Sequence, residues 1–339
     1  MSTPMPVRKV RSPEERARTR AFALTIFGFF AVLAVLDLLI TGLTDPPAAV
    51  PDLVMDENTG VPPVPTNADF PYDRTHNVIA IVLLGGLGLA GLLVCLRELI
   101  KKGDWLPLCA SIGTVIIVVP EVFLDVIGMV YYPVDDADNA FTLFGRQMGW
   151  FIVAGWFGAG AFAVTMLKIL LTRPTAKQVW IMLGFTGLSY TIFEELLVGS
   201  NGIYHYYGNQ PMWWNELPIW WTPCNTIGCA LLPAAFAYRY QHHLKGWKAS
   251  AMLVAVPASV GGVYALIGMP SWIVVNGDYN WFLTELAGLS TWALGIGLIA
   301  VIMNLFLGYQ PFDPESRPWD LSENADTDVP SARSETVGV

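Results

Sequence analysis

The chain has 339 residues, 54% apolar and only 14% charged, where a soluble domain carries roughly 25% charged residues. A formal net charge of −9 offers nothing to a nucleic-acid backbone, and 24 prolines and 31 glycines without a period exclude a collagen-like or disordered chain. Uncharged runs at 75–96, 147–167, 217–238, 249–277 and 286–312 approach or exceed the ~20 residues that cross a bilayer, so the class is all-α, a polytopic transmembrane helix bundle.

About eight spans are predicted in chain order, at 22–43, 77–96, 105–128, 147–168, 178–198, 218–238, 249–269 and 281–307. The first follows Arg8, Lys9, Arg11, Arg16, Arg18 and Arg20, like the basic start of a signal peptide. Its length and the lack of a small-residue cleavage site favour a retained anchor. A proline-rich loop at 44–76 leads to the second span, where Gly86, Gly88 and Gly91 satisfy a dinucleotide-binding pattern. No strand precedes them and no acidic partner follows at the right distance, so close helix packing is the better account, as it is for Gly155, Gly158 and Gly160 of the fourth span. Cys95, Cys109, Cys224 and Cys229 have neither CxxC spacing nor neighbouring histidines, so no metal site and no cofactor are predicted. Two span ends look alike: Glu121, Gly128, Tyr131, Tyr132 and Pro133 run parallel to Glu194, Gly202, Tyr206, Tyr207 and Pro211, as a duplicated helix pair would.

Lysine and arginine set the orientation, since cytoplasmic loops hold the basic excess. Alternate segments carry 17 of the 19 basic residues, and the opposite ones carry only Arg74 and Arg146. Both termini are therefore expected in the cytoplasm, in a plasma or inner membrane. The expected organisation is a basic cytoplasmic segment at 1–21, a membrane domain at 22–309 and a disordered acidic cytoplasmic tail at 310–339.

The acids within the spans carry the functional signal. Counted at ~1.5 Å per residue, Asp37, Glu121, Glu194 and Glu195 lie about 22–26 Å up a core of roughly 30 Å. Glu285 comes to a similar depth, and Asp125 stands one turn above Glu121 on the same face. These six acids form one layer toward the non-cytoplasmic side, with Arg146, His205 and His76 as its scarce basic neighbours. Intramembrane charges are expensive and mark functional sites, so at least one carboxyl is expected to be neutral at pH 7 and available as a proton donor. Glu194 and Glu195 stand about 100° apart on a helix and cannot both aim at one point. Pairing of Glu121 and Asp125 with Arg146 is the structural alternative.

Tyr204, Tyr206, Tyr207, Trp220 and Trp221 surround this layer, with Tyr190, Asn225 and Tyr264 inside the spans. They are candidates for substrate binding, together with Arg146 and Glu285; an interfacial aromatic belt is the other reading of the loop aromatics. Acids and ring faces with few cations suit protonation of an olefin or epoxide and stabilisation of the resulting carbocation. The expected catalytic group is Glu121, Asp125, Glu194, Glu195 and Asp37. The expected partner is an apolar, lipid-soluble substrate that enters from the bilayer, with membrane lipids around the bundle.

The stretch Glu194, Glu195, Gly199, Gly202, Tyr204, Tyr206, Tyr207, Pro211 and Pro218 resembles a pattern in integral-membrane carotenoid hydratases and cyclases. Small multi-span terpene cyclases with carboxylates on their helices are similar. The resemblance implies an isoprenoid-transforming enzyme, acting by cyclisation, hydration or isomerisation, with Glu194 or Glu195 as the functional acid. A proton- or cation-coupled membrane carrier and a non-catalytic assembly subunit stay open as alternatives.

Overall fold

The computed structural model describes residues 12–43, 56–57, 62–198 and 202–321, and 70% of it is helical. Helix α1 (Pro13–Leu43) opens with a capping box: Glu15 N–H donates to Ser12 Oγ at 3.1 Å, and Ser12 N–H donates back to Glu15 Oε2 at 2.7 Å. The helix thus begins inside the segment expected at 1–21 as a basic cytoplasmic one, while residues 1–11 lie outside the described residues. Helix α2 (Arg74–Lys102) starts where the Asp73 side chain accepts the His76 N–H. It ends at Gly103, whose φ of 67° lets its N–H reach the Leu99 carbonyl.

The third predicted span divides into α3 (Leu106–Ile116) and α4 (Val118–Gly128), bent by 42°. Pro120 is the cause. It has no N–H to offer the carbonyl of Ile116, and its ring crowds that turn. The break re-aims α4, which carries Glu121 and Asp125.

Helix α5 (Trp150–Leu171) begins three residues later than the fourth predicted span. Residues 147–149 belong instead to a hairpin of β2 (Asn139–Leu143) and β3 (Arg146–Gly149). Phe144 and Gly145, at φ 52° and 72°, form its two-residue turn. Helix α6 (Ala176–Val198) follows. The sixth predicted span is divided in the structure into α7 (Thr222–Asn225), a π-helical segment (Thr226–Leu231) and α8 (Leu232–Arg239). Pro233 cannot give an N–H to the regular ladder, and a wider turn takes its place. The seventh span likewise stops at Gly268, between α9 (Met252–Ile267) and α10 (Met269–Val275), with Pro270 in the first turn of α10. Helix α11 (Trp281–Leu305) closes the bundle.

Two further antiparallel pairs sit at the same end as the β2–β3 hairpin, here termed the strand end. Strand β1 (Val130–Tyr131) pairs with β4 (His205–Tyr206), Val130 opposite Tyr206 and Tyr131 opposite His205. Strand β5 (Trp213–Trp214) pairs with β6 (Leu217–Pro218). The two segments that look alike in sequence therefore meet across one sheet.

Among the described residues, five helices are long and apolar enough to cross a membrane, or six if α3 and α4 count as one bent span. Helix α2 packs tightly against α5. A Cβ on Gly158 would lie 3.0 Å from the Leu84 carbonyl oxygen, and one on Gly88 would collide with Phe157. Gly88 and Gly158 thus serve close helix approach, while a Cβ on Gly91 would meet Ala161 at an ordinary contact of 3.6 Å. Leu24, Phe29, Val82, Leu83 and Phe185 are exposed, as residues facing lipid would be. These features are those of an integral membrane protein.

The far end, termed the tail end, corrects one expectation. Residues 310–321 pack onto the bundle. Trp180 Nε1–H donates to the Pro311 carbonyl at 2.8 Å, Phe312 lies against Phe27 and Trp180, Arg173 pairs with Asp320, and Leu321 is buried. The sequence gives these residues an acidic, aperiodic look, but Phe312, Trp319 and Leu321 supply apolar anchors. Residues 322–339 lie outside the described residues.

Candidate functional site

Below the strand end is a cavity of about 410 Å³ walled by α2, α4, α5, α6, α7, the π segment and α9. Glu121, Asp125 and Glu194 all line it. No lysine, arginine or histidine does. The rest of its wall is mainly apolar and aromatic, with Tyr132, Phe151, Trp156, Phe162, Tyr190, Phe193, Tyr204, Tyr206, Trp220, Trp221 and Tyr264, and Ser189 and Asn225 add polar groups.

Each carboxyl is held differently. Glu194 Oε2 accepts the hydroxyls of Tyr204 at 2.7 Å and Tyr206 at 3.1 Å, while Asn225 Nδ2 reaches Oε1 at 3.4 Å. Asn225 is oriented by Tyr264, whose hydroxyl donates to its Oδ1 at 2.8 Å. Three donors from two segments, the stretch that runs into β4 and helix α7, thus converge on Glu194. Asp125 Oδ1 accepts the Tyr132 hydroxyl at 3.1 Å, whereas Oδ2 is buried with no hydrogen-bond partner. Glu121 lies one turn before Asp125 on α4 and lines the same wall. Tyr190 Oη and Trp221 Nε1 are likewise buried without a partner. The indole of Trp220 is fixed from behind, since its Nε1–H donates to Gln210 Oε1 at 2.9 Å and Gln210 Nε2 donates to the Gly128 and Tyr207 carbonyls.

The single acidic layer expected from sequence is corrected to two groups and an outlier. Asp37 and Glu285 form a pair of their own, off the cavity. Asp37 is fully buried and accepts the Trp214 Nε1–H at 3.0 Å, while Glu285 Oε2 accepts the Met212 N–H at 2.7 Å. Glu195 turns away from the cavity and accepts from Asn215, as the 100° separation from Glu194 requires. Depth counting finds residues at one height but says nothing of azimuth, which the packing of α1 and α11 decides.

Arg146 is not a cavity residue. It is buried under β3, its Nη2 donates to the Tyr207 hydroxyl, and its guanidinium stands 5.6 Å from the centre of the Tyr207 ring. Among the described residues it forms no ion pair with Glu121 or Asp125. Tyr207 packs with Met129 and Val275, outside the cavity. His76 bonds Asp73 at 2.7 Å, and His205 stacks on Phe70 with centroids 4.0 Å apart, so neither reaches the acids. Burial pushes His205 down to about 4.

Several lining residues escape sequence reasoning. Tyr132 was legible only through the similarity of the two span ends. The aromatic wall on α5 (Phe151, Trp156, Phe162) carries no polar marker, although Gly155 and Ala159 leave room on the same wall. Among the described residues no group of three His, Cys, Asp or Glu side chains is arranged to hold a metal ion. No known protein family matches the chain, and no curated protein or solved structure is similar to it.

Proposed function

We propose that the chain is a membrane-embedded enzyme that transforms an isoprenoid, opening the reaction by proton transfer from a carboxylic acid to an olefin or epoxide. The observation that carries this reading is a cavity with three carboxyls, many ring faces and no cation. Three negative charges in a dry site would repel one another, so the arrangement is consistent only with at least one acid in its neutral form. Hydrogen bonding divides the roles. Glu194, with three donors directed at it, is the carboxylate that stabilises the cation and takes its proton at the end. Asp125, whose Oδ2 has no partner, is the acid, with Glu121 beside it. The rings of Trp220, Tyr206 and Tyr264 shield the positive charge, an effect worth about 0.5–2 kcal/mol per ring. Closure occurs by loss of a proton or by addition of water, which separates cyclase or isomerase from hydratase. An apolar substrate would enter past Leu87 and Phe193, which line the cavity and are exposed on the bundle surface.

The same reading sets the chain across the membrane about eight times, with both termini cytoplasmic and the strand end external. Its support is the distribution of lysine and arginine. The 42° bend beside Glu121 favours a second reading, a proton- or cation-coupled carrier with a broken helix at its site. Purified protein in lipid, given a panel of prenyl olefins and epoxides, distinguishes the two. An enzyme yields a product of altered retention whose formation collapses in Asp125→Asn and Glu194→Gln; a carrier yields no product and gives pH-dependent uptake in vesicles.

A further inference from the structure

A second chamber, of about 340 Å³, lies against the first at the strand end. It is lined by Val64, Thr66, Asn67, Gly145, Arg146 and Gln147, and Asp125, Val130 and Tyr132 belong to both chambers. Its rim is open, since Val64, Thr66, Asn67 and Gly145 are exposed. Its floor holds two buried groups with unmet hydrogen-bonding capacity. Arg146 is 8% exposed and its Nη1 has no partner; Asp125 is 3% exposed and its Oδ2 has none. One is a donor and the other an acceptor. Orphaned polar atoms of this kind are uncommon, and ordered water is their usual partner.

We propose that this chamber is a water site, the inlet through which the Asp125 carboxyl exchanges its proton with the outer medium. A water that accepts from Arg146 Nη1–H satisfies both atoms at once: it accepts from Asp125 Oδ2–H while the acid holds its proton and donates to Oδ2 once that proton has left. The guanidinium holds that water at the floor, and its positive charge opposes the passage of other cations into the apolar cavity. When Asp125 has given its proton to a substrate carbon, its carboxylate takes one from a hydronium ion in the chamber, which is left as water. The inlet thus recharges the acid from the strand end while the aromatic cavity stays dry. Its catalytic meaning rests on the enzymatic reading, but water access is measurable without any substrate.

Val130→Cys and, separately, Gln147→Cys place a thiol in the chamber wall of the full chain in lipid nanodiscs. The native Cys229, which lines the apolar cavity only, is the internal control. A charged, water-soluble methanethiosulfonate reagent is expected to modify either new thiol at least 100-fold faster than Cys229. Filling the chamber in this way is expected to slow hydrogen–deuterium exchange of the protonated carboxyl band, assigned by its loss in Asp125→Asn, more than tenfold. Thiols in both variants as unreactive as Cys229, or a carboxyl band that exchanges equally fast in the filled protein, would overturn the inlet. A reactive chamber and a slowed band in a protein that converts no isoprenoid would leave the inlet standing and remove the enzymatic reading.

Discussion

Glu194 and Glu195 are neighbours in sequence and differ in every physical respect. One faces a cavity under three donors; the other meets Asn215 at the bundle surface. Glu194→Gln keeps the shape but replaces one acceptor by a donor, and turnover is expected to fall about 10²–10⁴-fold. Glu195→Gln is expected to leave turnover within about twofold, measured side by side by product mass spectrometry. The sequence made the pair visible and helical geometry excluded a shared role, but only tertiary packing chose between them. His205 gives a pH test at the same scale. Its ring is held neutral by burial, at about 4 against an ordinary 6.5, so the folded form resists protonation. Its contribution to stability is full above pH 6.5 and is lost as the pH falls toward 4. Melting temperatures between pH 7.5 and 4.5 are expected to fall less steeply in His205→Phe, which keeps the stack on Phe70.

At the scale of elements, the positions of the helices were legible and most of their interruptions were not. Apolar runs pointed to helices long enough to cross a membrane, and five of them, or six with the bent pair, are found among the described residues. The 42° bend, the π segment and the stop at Gly268 arise from Pro120, Pro233 and Pro270, which a hydropathy count treats as ordinary residues. Of the glycine pattern on α2, the packing reading holds at Gly88, which stands against Phe157, and not at Gly86, which meets nothing within 4 Å. Gly88→Val is expected to destabilise the α2–α5 contact by about 1–3 kcal/mol, by overpacking against Phe157, whereas Gly86→Val, which meets nothing within 4 Å, is expected to be near neutral in thermal melts. Helix α1 is fastened at its end by Asp37, through Trp214, and by the Trp281 Nε1–H, which donates to Thr41 Oγ1 at 3.1 Å. Asp37→Ala leaves the indole without its acceptor, at a cost of about 1–3 kcal/mol, and protease cleavage around α1 is expected to accelerate. Asp37→Asn retains an acceptor and is expected to behave like the parent chain.

For the whole molecule, composition alone pointed to the class of helical membrane bundles, and depth counting drew six acids into one expected layer. What the sequence withheld was the division of that layer. Three acids are gathered by α4 and α6 under the β1–β4 pair, and two are drawn off by α1 and α11. The division follows from which faces the helices turn to one another, and no single span encodes it. The similarity of the two span ends was the best available hint, because Tyr132 and Tyr206 descend from those ends to the walls of one cavity.

The central claim, that a carboxylic acid in this cavity protonates an isoprenoid carbon, is tested most directly in heavy water. Purified protein in lipid is incubated in D₂O with prenyl olefins and the product is analysed by mass spectrometry. The expected result is a product carrying one deuteron on carbon, absent in Asp125→Asn. A product free of carbon-bound deuterium, or one formed equally well by that variant, would contradict the account.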